Sequence, residues 1–195
     1  MDAVSVLRLG GVIAYPTETV YGLGCDPRNQ KAVDQLFRMK RREKGKPILL
    51  VASSMAQVGK VATVSASIKR FLKTVWPGAL TVVLPLRPEI VLAKGISLNG
   101  EVAIRISSSS VVRALARGFG FPVTSTSANL SGAEPCRSAK EVVEIFSSHT
   151  YRPDMVLDGG RLPKRKASTI IRFLPGGKVE ILRQGSVRIP RNMLK

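Results

Sequence analysis

The sequence predicts a single α/β domain over residues 1–195, an open, twisted, mixed β-sheet flanked by helices, with a basic tail from about residue 185. Three observations predict it. Short apolar runs rich in Val and Ile alternate with segments of helical period. Gly and Pro are spread evenly, so neither a linker nor an internal repeat divides the chain. With 195 residues, 44% hydrophobic and 23% charged, the composition is that of one ordinary globular core.

The N-terminal stretch lacks the basic start and clean apolar centre of a leader and is read as running straight into a first strand, GVIAYP at 11–16. A helix follows at 29–40, where Asn29 is a cap and Val33, Leu36, Phe37 and Lys40 share one face at helical spacing. PILLVA at 47–52 reads as a strand, and the helix after Ser65 stops before Pro77, as the steric restriction before proline requires. Strands are read at ALTVVLPL (79–86) and VAIRIS (102–107), then a helix at 109–120 that ends in glycine. FPVTST (121–126) is a further strand, and SAKE at 138–141 is a capping box in which Ser138 and Glu141 satisfy each other's backbone N–H at the head of a helix. The strands DMVLD, STIIRF and KVEILR complete the sheet, and the tail is expected to run along the surface.

Composition excludes several chemistries. The longest apolar runs are strand-length, far short of the roughly 20 residues of a membrane span; with no leader signal, a cytoplasmic location is expected. The single histidine, His149, lies in a polar stretch and cannot serve a Ser-His-Asp or Cys-His site without help from a loop. Cys25 and Cys136 are far apart without histidine companions, so they read as plain thiols and no metal site is expected. Neither EKGKPI nor PGGKVE completes a phosphate-binding Walker loop, and YGLGCDP lacks the third glycine of a dinucleotide fingerprint. Hydroxyls, amides and cations remain, a set suited to electrostatic stabilisation of a transferring phosphate. The charge is extreme: 31 basic against 13 acidic residues give +18, which favours polyanionic partners.

The densest basic run is KRREKGKP at 40–47, with five cations and one anion in eight residues. Alone it reads as a solvated helix end. In company it reads differently. Taken in order, GGVIAYPTETVYGLGCDP, LFRMKRREKGKPILL, WPGALTVVLP, VAIRIS, PVTSTSANLSG, LDGG, ASTII and ILRQGS resemble the YrdC/Sua5 family from about residue 11 to 185, in its short, single-domain branch. Its hallmark, a KxR with a distant SxN, falls on Lys40, Arg42, Ser127 and Asn129. The resemblance implies a YrdC-like domain with a concave, basic ligand cleft and an L-threonylcarbamoyladenylate synthase, a nucleotidyltransferase. Such enzymes join L-threonine, bicarbonate and ATP into threonylcarbamoyl-AMP and pyrophosphate. The product serves N6-threonylcarbamoyladenosine modification at position 37 of tRNAs decoding ANN codons, through separate transferase proteins.

By the same resemblance Lys40 and Arg42 are catalytic, holding phosphate and carboxylate. Thr17, Thr19, Tyr21, Ser127 and Asn129 bind substrate, and Arg42, Ser127, Asn129, Ser168 and Arg183 bind the nucleotide. Mg²⁺ is expected to arrive with ATP rather than in a dedicated protein site. The chain departs from the family where a proline and often a histidine follow VAIR, having Ser107 and Ser108, and at Val51, where a histidine is common. One other reading stays open, a non-catalytic factor binding double-stranded RNA or tRNA; a carbamoyl-adenylate-forming module of hydrogenase maturation shares the fold, but such proteins carry further zinc-finger and acylphosphatase-like domains not expected here. The cations beyond the cleft, in RLPKRKAS and the tail, are expected to attract structured RNA.

Overall fold

The computed structural model describes residues 2–43 and 45–194; Lys44 of the basic run and Lys195 of the tail lie outside the described residues. Its strands are β1 (Ile13–Pro16), β2 (Tyr21–Gly24), β3 (Leu49–Ala52), β4 (Leu80–Pro85), β5 (Ser97–Leu98), β6 (Glu101–Ile106), β7 (Val123–Ser127), β8 (Met155–Val156), β9 (Thr169–Phe173) and β10 (Val179–Arg183). They form one 10-stranded sheet in the order β10-β9-β4-β6-β3-β7-β2-β1-β8, with β5 paired to β6. The sheet is mixed: β1 with β8, β3 with β6 and β4 with β9 are parallel, and the other pairs antiparallel.

The helices are α1 (Ala3–Arg8), α2 (Gln30–Lys40), α3 (Met55–Val61), α4 (Ala66–Val75), α5 (Ser110–Phe119) and α6 (Ala139–Phe146). Their starts follow capping chemistry: Asn29, Ser54, Ser65 and Ser138 each accept a backbone N–H from the first turn. The expected capping box at α6 is only half formed. Ser138 caps Glu141 N–H, but the Glu141 carboxylate reaches one residue further back, to the N–H of Arg137 at 2.6 Å, and also pairs with Arg161. The tail does not simply run along the surface, because Ile189 is buried and Thr169 Oγ1 donates to the Val187 carbonyl.

Strand alternation gives the sheet two unlike faces. Leu80, Val82 and Leu84 of β4, Val102, Ile104 and Ile106 of β6, and Leu50 of β3 are buried in the main core. There they meet Val33 and Leu36 of α2, Leu72 of α4 and Phe146 of α6. The opposite face is covered only in part. At its β1–β7–β3 end, α1 and α5 bury Ile13, Tyr15, Val51 and Val123 against Leu7, Val112, Leu115 and Phe119. Past Val51 and Val123 no helix among the described residues joins this cluster, and a cavity opens over the remaining strands.

Candidate functional site

The cavity has a volume of about 580 Å³, sufficient for a nucleotide-sized ligand. Its floor is the outward set of residues on the central strands: Val83 of β4, Ala103 and Arg105 of β6, Ser125 and Ser127 of β7, and Ile170 of β9. Five arginines and one glutamate line it, Arg42, Arg105, Arg165, Arg172 and Arg183 with Glu101. Glu101 is already taken by Arg172 at 2.9 Å.

Thr17 and Thr19 sit on the β1–β2 turn, which folds on its own side chain: Thr17 Oγ1 donates to the Val20 carbonyl and accepts from the N–H groups of Thr19 and Val20. Both hydroxyls border the cavity, 3.1 Å apart. Arg42 follows α2 after Arg41, whose left-handed φ of 49° ends the helix. Its Nε and Nη2 donate to the carbonyls of Lys46 and Pro47, at 3.1 and 3.3 Å, so the guanidinium is held at the cavity wall by its own loop. Burial lowers its pKa from the usual arginine value.

At the far wall Arg183 of β10 is fixed on Ser168. Nε and Nη2 donate to the Ser168 carbonyl at 3.1 and 2.9 Å, and Nη2 to Ser168 Oγ at 3.0 Å; that hydroxyl lies 3.0 Å from Thr81 Oγ1. Gly185 makes this docking possible, since a Cβ there would stand 2.2 Å from the Ala167 carbonyl oxygen. Arg183 and Ser168 both line the cavity.

Three expected ligand residues are placed otherwise. Lys40 is 2% exposed, and its Nζ donates to the carbonyls of Ser127 and Asn129 and to Asn129 Oδ1, the last two at 2.9 and 2.8 Å. Three oxygens saturate the ammonium. Asn129 is consumed as well: Oδ1 also accepts from Ser127 Oγ, and Nδ2 donates to the Ala133 carbonyl. Neither residue lines the cavity, whereas Ser127, which they hold, does. The physical reason lies in α2: Lys40 continues its buried stripe, so the chain turns Arg42, two residues on, to the ligand side. Burial, with the Arg42 charge second, lowers the Lys40 pKa to about 8.

Tyr21 is the third. Its ring is fully buried, and its hydroxyl donates to the Gly160 carbonyl and accepts from Gly159 N–H, both at 2.9 Å. It ties the 158–160 loop to β2 rather than shaping the cavity. Val51 shares a face with cavity-lining Leu49 but is sealed in the α5 cluster.

Sequence reasoning passed over Arg105 and Glu18, and it counted Arg165 among the RNA-attracting cations beyond the cleft, whereas Arg165 lines the cavity. Arg105 was hidden in VAIRIS, read only as a strand, although alternation from the inward Ile104 and Ile106 puts it on the open face. Arg105 Nη1 lies 3.1 Å from Glu18 Oε1, and Glu18 Oε2 accepts from Ser107 Oγ, so one departure from the family pattern has a definite contact. Ser108 borders a second cavity of about 360 Å³ with Arg165 and Lys166. His149 stands beside the Phe146 ring, away from the site. Among the described residues no group of three or more His, Cys, Asp or Glu converges for a metal ion. No helix there is long and apolar enough to cross a membrane.

The chain is 37% identical over 188 residues to a threonylcarbamoyl-AMP synthase of Aliivibrio fischeri, covering 94% of this chain and 97% of that one. To the threonylcarbamoyl-AMP synthase of Psychromonas ingrahamii it is 40% identical over 161 residues, 80% and 83% of the two chains. Its structure superposes on that of P. abyssi Sua5 complexed with L-threonine at a TM-score of 0.84 and 32% identity, over 94% of this chain. The chain spans 53% of that longer Sua5. Residues 5–185 match the family of Sua5, YciO and YrdC, described as telomere recombination. With Arg42 and Ser127 at an arginine-lined cavity and Lys40 and Asn129 bonded behind Ser127, and with matches of this extent, the chain belongs to the Sua5/YciO/YrdC family.

Proposed function

We propose that the protein is an L-threonylcarbamoyladenylate synthase, a nucleotidyltransferase that makes threonylcarbamoyl-AMP and pyrophosphate from L-threonine, bicarbonate and ATP. The observation that carries this reading is a cavity of nucleotide size walled by arginines and hydroxyls, with neither histidine nor cysteine in its lining. The threonine amine takes up carbon dioxide as a carbamate, and one carbamate oxygen attacks the α-phosphorus. A P–O bond forms there while the bond to the β-phosphate bridge breaks and its electron pair leaves with pyrophosphate. No protein nucleophile is needed; the protein's task is to orient two anions and to stabilise the equatorial oxygens.

Arg42 and Arg183 suit that task, with Ser168 fixing the second, and Thr17, Thr19 and Ser127 offer hydroxyls to the threonine end. Lys40, Asn129 and Tyr21 contribute at one remove, by holding the Ser127 turn and the 158–160 loop. The apolar floor at Val83, Ala103 and Ile170 fits a flat base. Mg²⁺ would come with ATP and offset the charge of the leaving phosphates, because the lining carboxylate Glu101 is committed to Arg172.

Incubation with labelled threonine, bicarbonate and ATP should give the adenylate and pyrophosphate only when all three are present. Nucleotide-independent RNA binding without product would favour the non-catalytic RNA-binding reading instead. A product used on tRNA suits a cytoplasmic protein working beside a transferase that consumes it. Lys164, Arg188 and Arg191, exposed and outside the cavity lining, suit contact with the phosphates of structured RNA; neutralising them together should flatten the salt dependence of tRNA binding.

A further inference from the structure

Arg165 differs from the other four arginines of the cavity in how it is held. Arg42 is bonded to the carbonyls of its own loop, Arg183 to Ser168, Arg172 to Glu101 and Glu180, and Arg105 is paired with Glu18. Arg165 is exposed and makes a single contact, from Nη1 to the Glu18 carbonyl at 3.4 Å, longer than a strong hydrogen bond.

The segment that carries it is held in the same way. At one end Leu162 packs against the main core and its N–H donates to the Arg137 carbonyl at 2.7 Å. At the other, the Ala167 carbonyl accepts from Ser186 N–H at 3.0 Å, and Ser168 is buried beneath Arg183. Between these anchors Pro163, Lys164, Arg165 and Lys166 are all exposed and belong to no helix or strand. The Glu18 contact is their one hydrogen bond among the described residues. A span with few buried contacts and no backbone bonds opens and closes at low local cost.

Charge and space give the direction of movement. Lys164, Arg165 and Lys166 form no ion pair among the described residues. They stand beside a cavity that already holds Arg42, Arg105, Arg172 and Arg183 against the committed Glu101, so like charges keep them out until an anion enters. Arg165 and Thr19 line both this cavity and the smaller one of about 360 Å³, whose wall also includes Lys166. Interiors are close-packed, so unfilled space beneath a weakly held segment is room for it to descend.

We propose that residues 163–166 form a strap that closes over bound nucleotide, Arg165 leaving the Glu18 carbonyl to bind a phosphate group from the open side of the cavity. The inference rests on the adenylate-synthase reading for its source of phosphate. The four fixed arginines offer charge from floor and walls, and the strap supplies the missing side. Closure excludes water and so strengthens each charged contact, and the strap must reopen to release product.

Trypsin, which cuts after Lys and Arg, reads the strap directly at Lys164, Arg165 and Lys166, with cleavage after exposed Arg191 of the tail as internal reference. ATP at about a hundred times its dissociation constant should slow cutting of the wild-type strap about tenfold or more relative to the tail. In Arg165→Gln, which keeps both flanking lysines, ATP should slow it less than about twofold. In calorimetric titration the same variant should bind ATP about three- to tenfold more weakly, with L-threonine within about twofold of wild type. Arg165→Lys should recover only part of the affinity, since it keeps the charge and loses the fork. Arg117→Gln, the same loss of charge at an exposed site on α5, should bind ATP as the wild type does. A strap that ATP does not protect, protection that persists in Arg165→Gln, or an equal loss of affinity in Arg117→Gln overturns the proposal. A wild type that makes the adenylate with an unprotected strap sinks this inference only, whereas a wild type that binds no nucleotide sinks the functional reading beneath it.

Discussion

The two ends of the same sheet face make opposite use of one rule. Where α1 and α5 lie across it, the outward residues are Ile13, Tyr15, Val51 and Val123, all fully buried. Further along β7 and on the neighbouring β6 they become Ser125, Ser127, Ala103 and Arg105, which line the cavity. β7 changes within itself, from Val123 under Phe119 to Ser127 at the cavity. The inward face is mainly apolar, with Thr124 of β7 a buried exception bonded to Cys25, so most of the sheet's stability is supplied from one side and the other is freed for polar groups. The site is the part of a core that was left unfilled, and each of its charges must be held by local bonds instead of by packing.

The sharpest way to break this contrast is at Lys40, the residue that serves structure from within the functional motif. Lys40→Met strands the Asn129 carbonyl and takes one of two donors from the Ser127 carbonyl and from Asn129 Oδ1, so at about 1–3 kcal/mol for the stranded acceptor and about 1 kcal/mol for each further lost bond the loss should reach several kcal/mol. Urea unfolding measures it. A variant of normal stability with lost turnover would show that Lys40 meets ligand after all. Arg42→Ala belongs to the open end and should do the reverse. It should lower kcat/KM by about a hundredfold or more, from about 2.7–4 kcal/mol of lost transition-state stabilisation, with an unchanged unfolding midpoint. Arg42→Lys should recover little, since a point charge replaces the fork.

Smaller paired changes sharpen the comparison along one face. Val51→Ala, under α5, should cost about 2 kcal/mol of stability from two lost methyl groups and the gap they leave. Ala103→Leu, on the open floor, should shift the midpoint by less than about 0.5 kcal/mol yet exclude nucleotide in a binding titration. The smallest effect is a pH dependence. Lys40, with its pKa lowered to about 8, sheds its proton in the folded protein while the unfolded chain keeps it up to the ordinary value of 10.5. The unfolded state then binds more protons between those values, so the penalty of burying this ammonium shrinks as pH rises through the window. A neutral amine has two N–H groups for three oxygens, so the Ser127 turn loosens, and activity should fall above about pH 8 with no acid-side counterpart from this residue.

Elements with a strong local signal were legible in the sequence. The caps at Asn29, Ser65 and Ser138, the proline stop after Trp76 and the eight apolar runs all correspond to observed helix boundaries and strands. β2 was not, because its two glycines mask strand propensity, and α1 and α3 were not, because six or seven residues carry too few turns for a period to show. At the site, motif spacing brought Lys40, Ser127 and Asn129 together correctly but could not say which side chains point outward. Lys40 illustrates the difference: its helical stripe already placed it inward, and the motif was taken to outweigh that. Arg105 and Glu18 needed alternation read across β6 and a turn between two threonines, signals visible only once neighbouring strands are known.

The pairing of β4 with β9, in which Leu80 faces Thr169, has a consequence in time. The cavity floor cannot exist until segments some ninety residues apart have met, and such long closures make assembly slow relative to local helices. Arg183, on β10 in a local hairpin with β9, joins the floor only with that same long closure. A molecule that binds only this finished floor stabilises it by mass action, about 2.7 kcal/mol at a hundred times its dissociation constant. For a newly made chain, the substrate is then also the final latch of folding.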